Sequence, residues 1–185
     1  MTRRFALLAM ASCLLLPGCG RPPVAGLLDL PTDTPYTLAT GDRLRIIVFG
    51  QENLSNIYAV DAGGSIAFPL IGAVSVRNKS VRAVEEAIEG ALRGKYLREP
   101  QVTVEVDAYR PFFILGEVAT SGQFAFVNGM TVQTAVAIAG GYTPRADKSY
   151  AEISRQLPEG IAIGKVPVTT AVRPGDTVVI KERWF

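Results

Sequence analysis

Hydrophobic and polar positions along the chain fall into stretches of distinct period. Leu44-Arg45-Ile46-Ile47-Val48-Phe49 is rich in β-branched residues and follows the turn signal Gly41-Asp42, so a strand opens there. Ile57 to Val60 and Ser65 to Leu70 flank Asp61-Ala62-Gly63-Gly64, whose glycines can take the positive φ of a tight turn; the pattern predicts a hairpin. Ser80 can cap a helix in which Val81, Val84, Ile88 and Leu92 share one face and Arg82, Glu85, Glu86 and Glu89 lie elsewhere. Gly94 can end it. Beyond Pro100, Val102, Val104 and Val106 alternate with Thr103, Glu105 and Asp107, the pattern of a half-buried strand.

Tyr109-Arg110-Pro111 suits a junction between domains, because proline removes a ladder donor and biases Arg110 towards an extended conformation. Similar grammar follows it. Phe112 to Leu115 predicts a strand, Ser121-Gly122-Gln123-Phe124 a turn into another, and Thr131 to Ala139 a short helix closed by Gly140-Gly141. Ala151 to Arg155 and Thr177 to Lys181 supply further strands, the last introduced by Arg173-Pro174-Gly175-Asp176. The expected fold is therefore α+β, with two small domains in tandem over residues 36–109 and 110–185. The phrase Gly-Asp-x-Leu/Val-x-Ile occurs at Gly41 to Ile46 and again at Gly175 to Ile180. Shared turn chemistry explains so short a repeat more readily than duplication. Gly41, Asp42, Gly175 and Asp176 are expected to act as turn residues, aspartate bonding nearby backbone and glycine taking unusual dihedrals. Gly140 and Gly141 are expected as a helix cap.

The first residues break this pattern. Met1-Thr2-Arg3-Arg4 is a short cationic start, and the uncharged run from Phe5 to Leu16 follows it, the layout of a signal peptide. As a helix that run reaches roughly 18 Å, against about 30 Å of bilayer hydrocarbon, too short for a permanent span. Leu16-Pro17-Gly18-Cys19 has the form of a lipobox, with the small Gly18 at the cut and Cys19 as the acylated residue. Pro17 is unusual beside a scissile bond. Cys13 after Ala11-Ser12 is a rival, preceded by a shorter apolar stretch. The expectation is a signal peptide over residues 1–18 and a lipidated tether over 19–35, where four prolines between Arg21 and Pro35 favour an extended chain. Several buried acyl chains, at about 0.8 kcal/mol per CH₂, make such an anchor effectively permanent.

Composition narrows the function classes. The chain has 185 residues, 48% of them apolar and 19% charged, as in globular proteins. Removing Arg3 and Arg4 from the 19 Lys and Arg leaves 17, equal to the 17 Asp and Glu, so the remainder is formally neutral. Nucleic-acid binding, which needs cationic excess to displace counterions, is not expected. With Cys13 and Cys19 both in or beside the leader, no internal disulfide is expected in the mature protein.

There is no histidine, no free mature thiol once Cys19 is acylated, and no Gly-rich phosphate loop ahead of a lysine. Metal sites built on His or Cys are thereby excluded, and no cofactor and no catalytic residue is expected. The carboxylate pairs Glu85-Glu86 and Glu105/Asp107 satisfy the two-acid requirement of glycoside hydrolysis in principle, but both read as solvated. Tyr109, Tyr142, Trp184 and Phe185 suit either packing or stacking on a sugar face. Arg77, Arg110 and Arg145 suit either solvated surface or a lumen for acidic polymer.

Taken in order, several phrases resemble the outer-membrane polysaccharide export (OPX) family. In the first domain they are Tyr36-x-Leu38-x-x-Gly41-Asp42, Asp61-Ala62-Gly63-Gly64-Ser65-Ile66-Ala67-Phe68-Pro69-Leu70-Ile71-Gly72, and Tyr96-Leu97-x-x-Pro100-x-Val102. In the second they are Leu115-Gly116-Glu117-Val118, Gly122-Gln123-Phe124, Thr131-Val132-Gln133-Thr134-Ala135, Ala139-Gly140-Gly141-Tyr142-Thr143 and Pro174-Gly175-Asp176-Thr177.

The resemblance implies an export domain followed by a β-grasp-like soluble-ligand-binding (SLBB) domain. It further implies a lipoprotein at the periplasmic face of the outer membrane, and a homo-oligomeric ring carrying capsular or exopolysaccharide as cargo. It implies no catalysis, and as partner an inner-membrane polysaccharide co-polymerase. Longer members add β-grasp repeats and a C-terminal amphipathic helix, which Lys181-Glu182-Arg183-Trp184-Phe185 does not resemble. A monomeric periplasmic ligand-binding or scaffolding module is the alternative.

Overall fold

The computed structural model describes residues 35–157 and 160–183. In chain order the elements begin with β1 (Arg43–Val48), a short 3-10 turn (Glu52–Leu54), β2 (Asn56–Ala59), β3 (Ser65–Phe68), β4 (Gly72–Ser75), α1 (Val81–Leu92) and β5 (Val102–Ala108). They continue with β6 (Phe112–Gly116), β7 (Gly122–Phe124), α2 (Val132–Ile138), β8 (Tyr150–Leu157), β9 (Gly160–Pro167) and β10 (Thr177–Ile180). The architecture is mixed α+β, as the periodicities predict.

The first part is an antiparallel sheet ordered β2-β1-β5 against α1. Along β1, Leu44, Ile46 and Val48 point inward and alternate with exposed Arg43, Arg45 and Ile47, so one face of the sheet is core and the other is open. The α1 face of Val84, Ile88 and Leu92 closes that core together with Leu38, Ile66, Phe68 and Val76. Each such Val, Leu or Ile contributes about 1.5–3 kcal/mol by leaving water. Ser80 caps the helix, its Oγ accepting from Ala83 N at 3.2 Å.

The acidic side chains of α1 separate into two roles. Glu85 Oε1 accepts from Val104 N at 2.9 Å and Glu89 Oε1 from Val102 N at 3.0 Å. They satisfy amides on the free edge of β5 that have no strand beside them. Glu85 is thus not the simply solvated carboxylate expected from its helix face, whereas Glu86 is exposed and pairs with Arg82. Asp107 likewise meets Arg45 at 2.8 Å and Arg43 at 3.9 Å rather than water alone.

The expected hairpin across Asp61-Ala62-Gly63-Gly64 is not formed. β2 pairs with β1, and β3 pairs instead with β4 through the tight turn at Pro69-Leu70-Ile71, where Leu70 takes φ +68°. The backbone of Val60 explains the break: its N–H donates to Asp42 O and its carbonyl accepts from Gly41 N, so it is committed to the Gly41-Asp42 turn. The Asp61 to Gly64 turn then redirects the chain between sheets and places Ile66 and Phe68 in the core.

The second part is a five-stranded sheet ordered β7-β6-β10-β8-β9, in which β10 runs parallel to β6 and antiparallel to β8. Thr131 caps α2 through a capping box with Thr134. Val132, Ala135 and Val136 from α2 bury against Phe112, Ile114, Ile153, Val178 and Ile180. Two hydrophobic clusters result, one drawn from residues 38–104 and the other from residues 112–180. Among the described residues no helix is long and apolar enough to cross a membrane.

Candidate functional site

The two Gly-Asp phrases form the same turn in unlike sheets. In the first, Asp42 N donates to Ala39 O at 3.2 Å while Asp42 Oδ2 accepts from Ala39 N at 2.8 Å. In the second, Asp176 N donates to Arg173 O at 3.1 Å while Asp176 Oδ2 accepts from Arg173 N at 2.8 Å. Gly41 and Gly175 sit at φ +93° and +85°, a region costly for a side chain bearing Cβ. Each turn also bonds a neighbouring strand, through Val60 N to Asp42 O and Phe113 N to Asp176 O. β1 has two antiparallel neighbours and β10 one of each kind, so the shared unit is the turn and not the sheet around it.

Both aspartates are wholly buried, and each meets an arginine. Asp176 is clamped by Arg155, with Nε at 2.8 Å from Oδ1 and Nη2 at 2.7 Å from Oδ2, a bidentate pair. Arg155 is itself only 4% exposed. Asp42 Oδ1 accepts from Arg110 N at 2.9 Å, and Oδ2 accepts from Tyr36 Oη at 2.7 Å and lies 3.4 Å from Arg110 Nη1. Burial, then the hydrogen bond to Asp42, holds the Tyr36 phenol far above its ordinary range.

Arg110 connects the two turns. A Cβ placed on Gly41 would touch Arg110 Cβ at 3.4 Å, and one on Gly175 would meet Arg110 Nε at 2.6 Å, so this side chain lies over both glycines. Arg110 Nη1 also donates to Tyr36 Oη at 2.8 Å. Next to it the rings of Tyr36, Tyr109 and Phe126 stand edge to face, with centroids 4.9 Å and 5.5 Å apart in succession. Tyr109 therefore packs between aromatic neighbours contributed by both halves of the chain.

These groups line an open groove of about 1420 Å³ between the two clusters. Among the described residues its walls carry Arg77, Arg110, Arg155 and Arg173 and no Asp or Glu, while Asp42 and Asp176 are wholly buried. Arg77 donates to Ala62 O at 2.7 Å and Thr40 Oγ1 at 3.2 Å, both neutral acceptors. Burial and the adjacent Arg155 pull Arg173 below the usual arginine range, against the opposing effect of Asp176. The arrangement can bind anionic or polar groups, and among its described residues no nucleophile is paired with a base.

The other expected residues lie apart from the groove or outside the described residues. Gly18 and Cys19 lie outside them, as do Trp184 and Phe185. Gly140 and Gly141 take φ +86° and +99° after α2, and Gly141 N returns to Val136 O at 2.9 Å. Tyr142 is partly buried, its hydroxyl has no hydrogen-bond partner among the described residues, and burial raises its pKa. Arg145 pairs with Glu117 at 3.1 Å and Glu182 at 3.5 Å. No group of His, Cys, Asp and Glu suited to a metal ion occurs among the described residues. Sequence reasoning passed over Arg155, Arg173, Tyr36 and Phe126 as site residues. An arginine at an inward position of a strand, as at Arg155, was the available signal.

Residues 30–107 match the family described as polysaccharide biosynthesis/export protein. The EPS I polysaccharide export outer membrane protein EpsA of Ralstonia nicotianae is 30% identical over 184 residues, covering 81% of this chain and 48% of the relative. The protein of the same description from Ralstonia solanacearum matches to the same extent. Exopolysaccharide production protein ExoF of Rhizobium meliloti is 32% identical over 124 residues, covering 60% of this chain and 29% of the relative. The chain spans about half the length of the EpsA relatives, and less of ExoF. The matched segment contains the Gly41-Asp42 turn, the β3–β4 hairpin and the α1–β5 unit, and this match together with the relatives supports assignment to the outer-membrane polysaccharide export family.

Proposed function

We propose that the protein acts in the export of extracellular polysaccharide at the outer membrane. The observation that carries this reading is the match to the export family over residues 30–107, extended by EpsA relatives aligned across 81% of the chain.

In this reading the protein is anchored at the periplasmic face by lipid on Cys19, assembles as a homo-oligomeric ring, and meets an inner-membrane polysaccharide co-polymerase. The chain divides into an export domain over 36–109 and an SLBB β-grasp domain over 110–185. Support for that division comes from the separation of the two hydrophobic clusters between Val104 and Phe112. Deleting the gene tests the function. Surface polysaccharide should disappear and return on complementation; surface polysaccharide at the parental level in the deletion overturns the reading. The ring is tested by the particle mass of the detergent-solubilised protein, for which a monomer is the contrary result.

A further inference from the structure

We propose that Tyr109, Arg110 and Pro111 form a locked joint that makes the two clusters one rigid, cooperatively folded body, with Arg110 as the positioning residue that sets the angle between them. Its bearing on export rests on the function proposed above.

Two units joined by a short connection move relative to one another unless their interface holds them. Ala108 ends β5 and Phe112 begins β6, so only residues 109–111 lie between the two sheets. Their backbone is tied to both sides. Arg110 N donates to Asp42 Oδ1 of the first unit at 2.9 Å, and the carbonyl of Pro111 accepts from Gly175 N of the second at 3.1 Å. Between these two bonds the proline ring locks its own φ and narrows the conformations open to Arg110, so few torsions remain about which one unit could swing against the other.

The side chains repeat the arrangement. The first unit holds the Arg110 guanidinium: Nη1 donates to Tyr36 Oη at 2.8 Å and lies 3.4 Å from Asp42 Oδ2, and Cζ stands 5.8 Å from the centre of the Tyr36 ring. In the second unit the same side chain fills the space left open by Gly175, where a Cβ would come within 2.6 Å of Nε. Tyr109 bridges on the apolar side, edge to face with Tyr36, which packs on the first cluster, and with Phe126, which packs on the second. A swing of one unit against the other would either draw the arginine from the wholly buried Asp42 or open a void against Gly175, and it would part Tyr109 from one of its two rings. In a ring of copies such a joint gives every copy the same shape, as closed symmetry requires of its repeated contacts.

Scanning calorimetry of the full-length protein in detergent tests the joint. One cooperative transition is expected, and Ile46→Val in the first cluster and Ile153→Val in the second should each lower the whole of it by about 2–4 °C. Arg110→Met and Tyr109→Ala should split it in two, after which each core substitution moves only the transition of its own cluster. Tyr109→Ala removes no side chain that donates to Asp42, so it separates loss of the joint from loss of the ion pair. Gly175→Ala should split the transition as well, because the new methyl meets Arg110. Gly41→Ala, at φ +93° against +85° and with Arg110 Cβ only at 3.4 Å, should lower the transition without splitting it. Two transitions in the unsubstituted protein that answer separately to Ile46→Val and Ile153→Val overturn the proposal, as does a single transition retained in both Arg110→Met and Tyr109→Ala. In cells, Tyr109→Ala should reduce surface polysaccharide with the protein at its parental level. Full export in that variant overturns the need for a rigid joint, whereas full export in the deletion strain overturns the proposed function and leaves the calorimetric result standing.

Discussion

Asp176→Asn tests the buried pair on which the second Gly-Asp turn rests. The substitution keeps shape and one acceptor oxygen, so Arg173 N can retain its hydrogen bond, but it removes the charge that faces Arg155 at 2.7 Å and 2.8 Å. Arg155 is 4% exposed, so its guanidinium is held largely out of water beside Asp176. A buried cation that loses its partner costs about 3–5 kcal/mol, a large share of the roughly 5–15 kcal/mol that holds a domain folded. At a urea dependence of about 2 kcal/mol per molar, the unfolding midpoint followed by circular dichroism should fall by about 1.5–2.5 M. Adding Arg155→Met in the same background removes the stranded charge and should recover a large part of that loss. The exposed pair Arg82–Glu86 is the control, for which Glu86→Gln should cost no more than about 1 kcal/mol. A loss below about 1 kcal/mol for Asp176→Asn, or no recovery with Arg155→Met, would refute this account of the turn.

Other expectations follow from the same geometry. Gly116→Ala should destabilise by about 3 kcal/mol or more, because its Cβ would lie 2.1 Å from Ile180 O at φ +89°, where only backbone movement relieves the clash; Gly72→Ala, with open space, should cost about 1 kcal/mol in thermal or urea unfolding. The buried Tyr36 phenol is raised in the folded state, so above about pH 10 the unfolded chain loses that proton first and stability falls as pH rises. Tyr36→Phe should remove that part of the alkaline dependence in urea unfolding curves, and an unchanged slope would contradict it. Cys19→Ser should release the protein from membranes on fractionation, and continued retention would point to another anchor.

Helix α1 was legible because its apolar spacing, serine cap and terminal glycine all agree. The Gly-Asp turns were legible for the same reason, since short-range hydrogen bonding by aspartate decides them. Strand pairing was not. β2 and β3 look like hairpin partners from the intervening glycines, yet Val60 spends its backbone groups on the distant Gly41-Asp42 turn, a contact no local pattern records. β4 and β9 went unseen because their exposed, glycine-containing sequences carry little alternation. The site was the least legible part. Arg110 reads as a junction residue and as a surface or lumen arginine, Arg155 as one polar position in a strand, and only the fold places one across both turns and buries the other.

The account depends most on the assignment to export, as distinct from synthesis of the polymer. Pulse-labelling of a clean deletion strain measures both at once, by following label into lipid-linked repeat units and into polysaccharide outside the cell. Export predicts repeat units made at the parental rate with labelled polymer absent from the surface and medium. Labelled polymer reaching the medium at the parental rate, or repeat units that are never made, would contradict it.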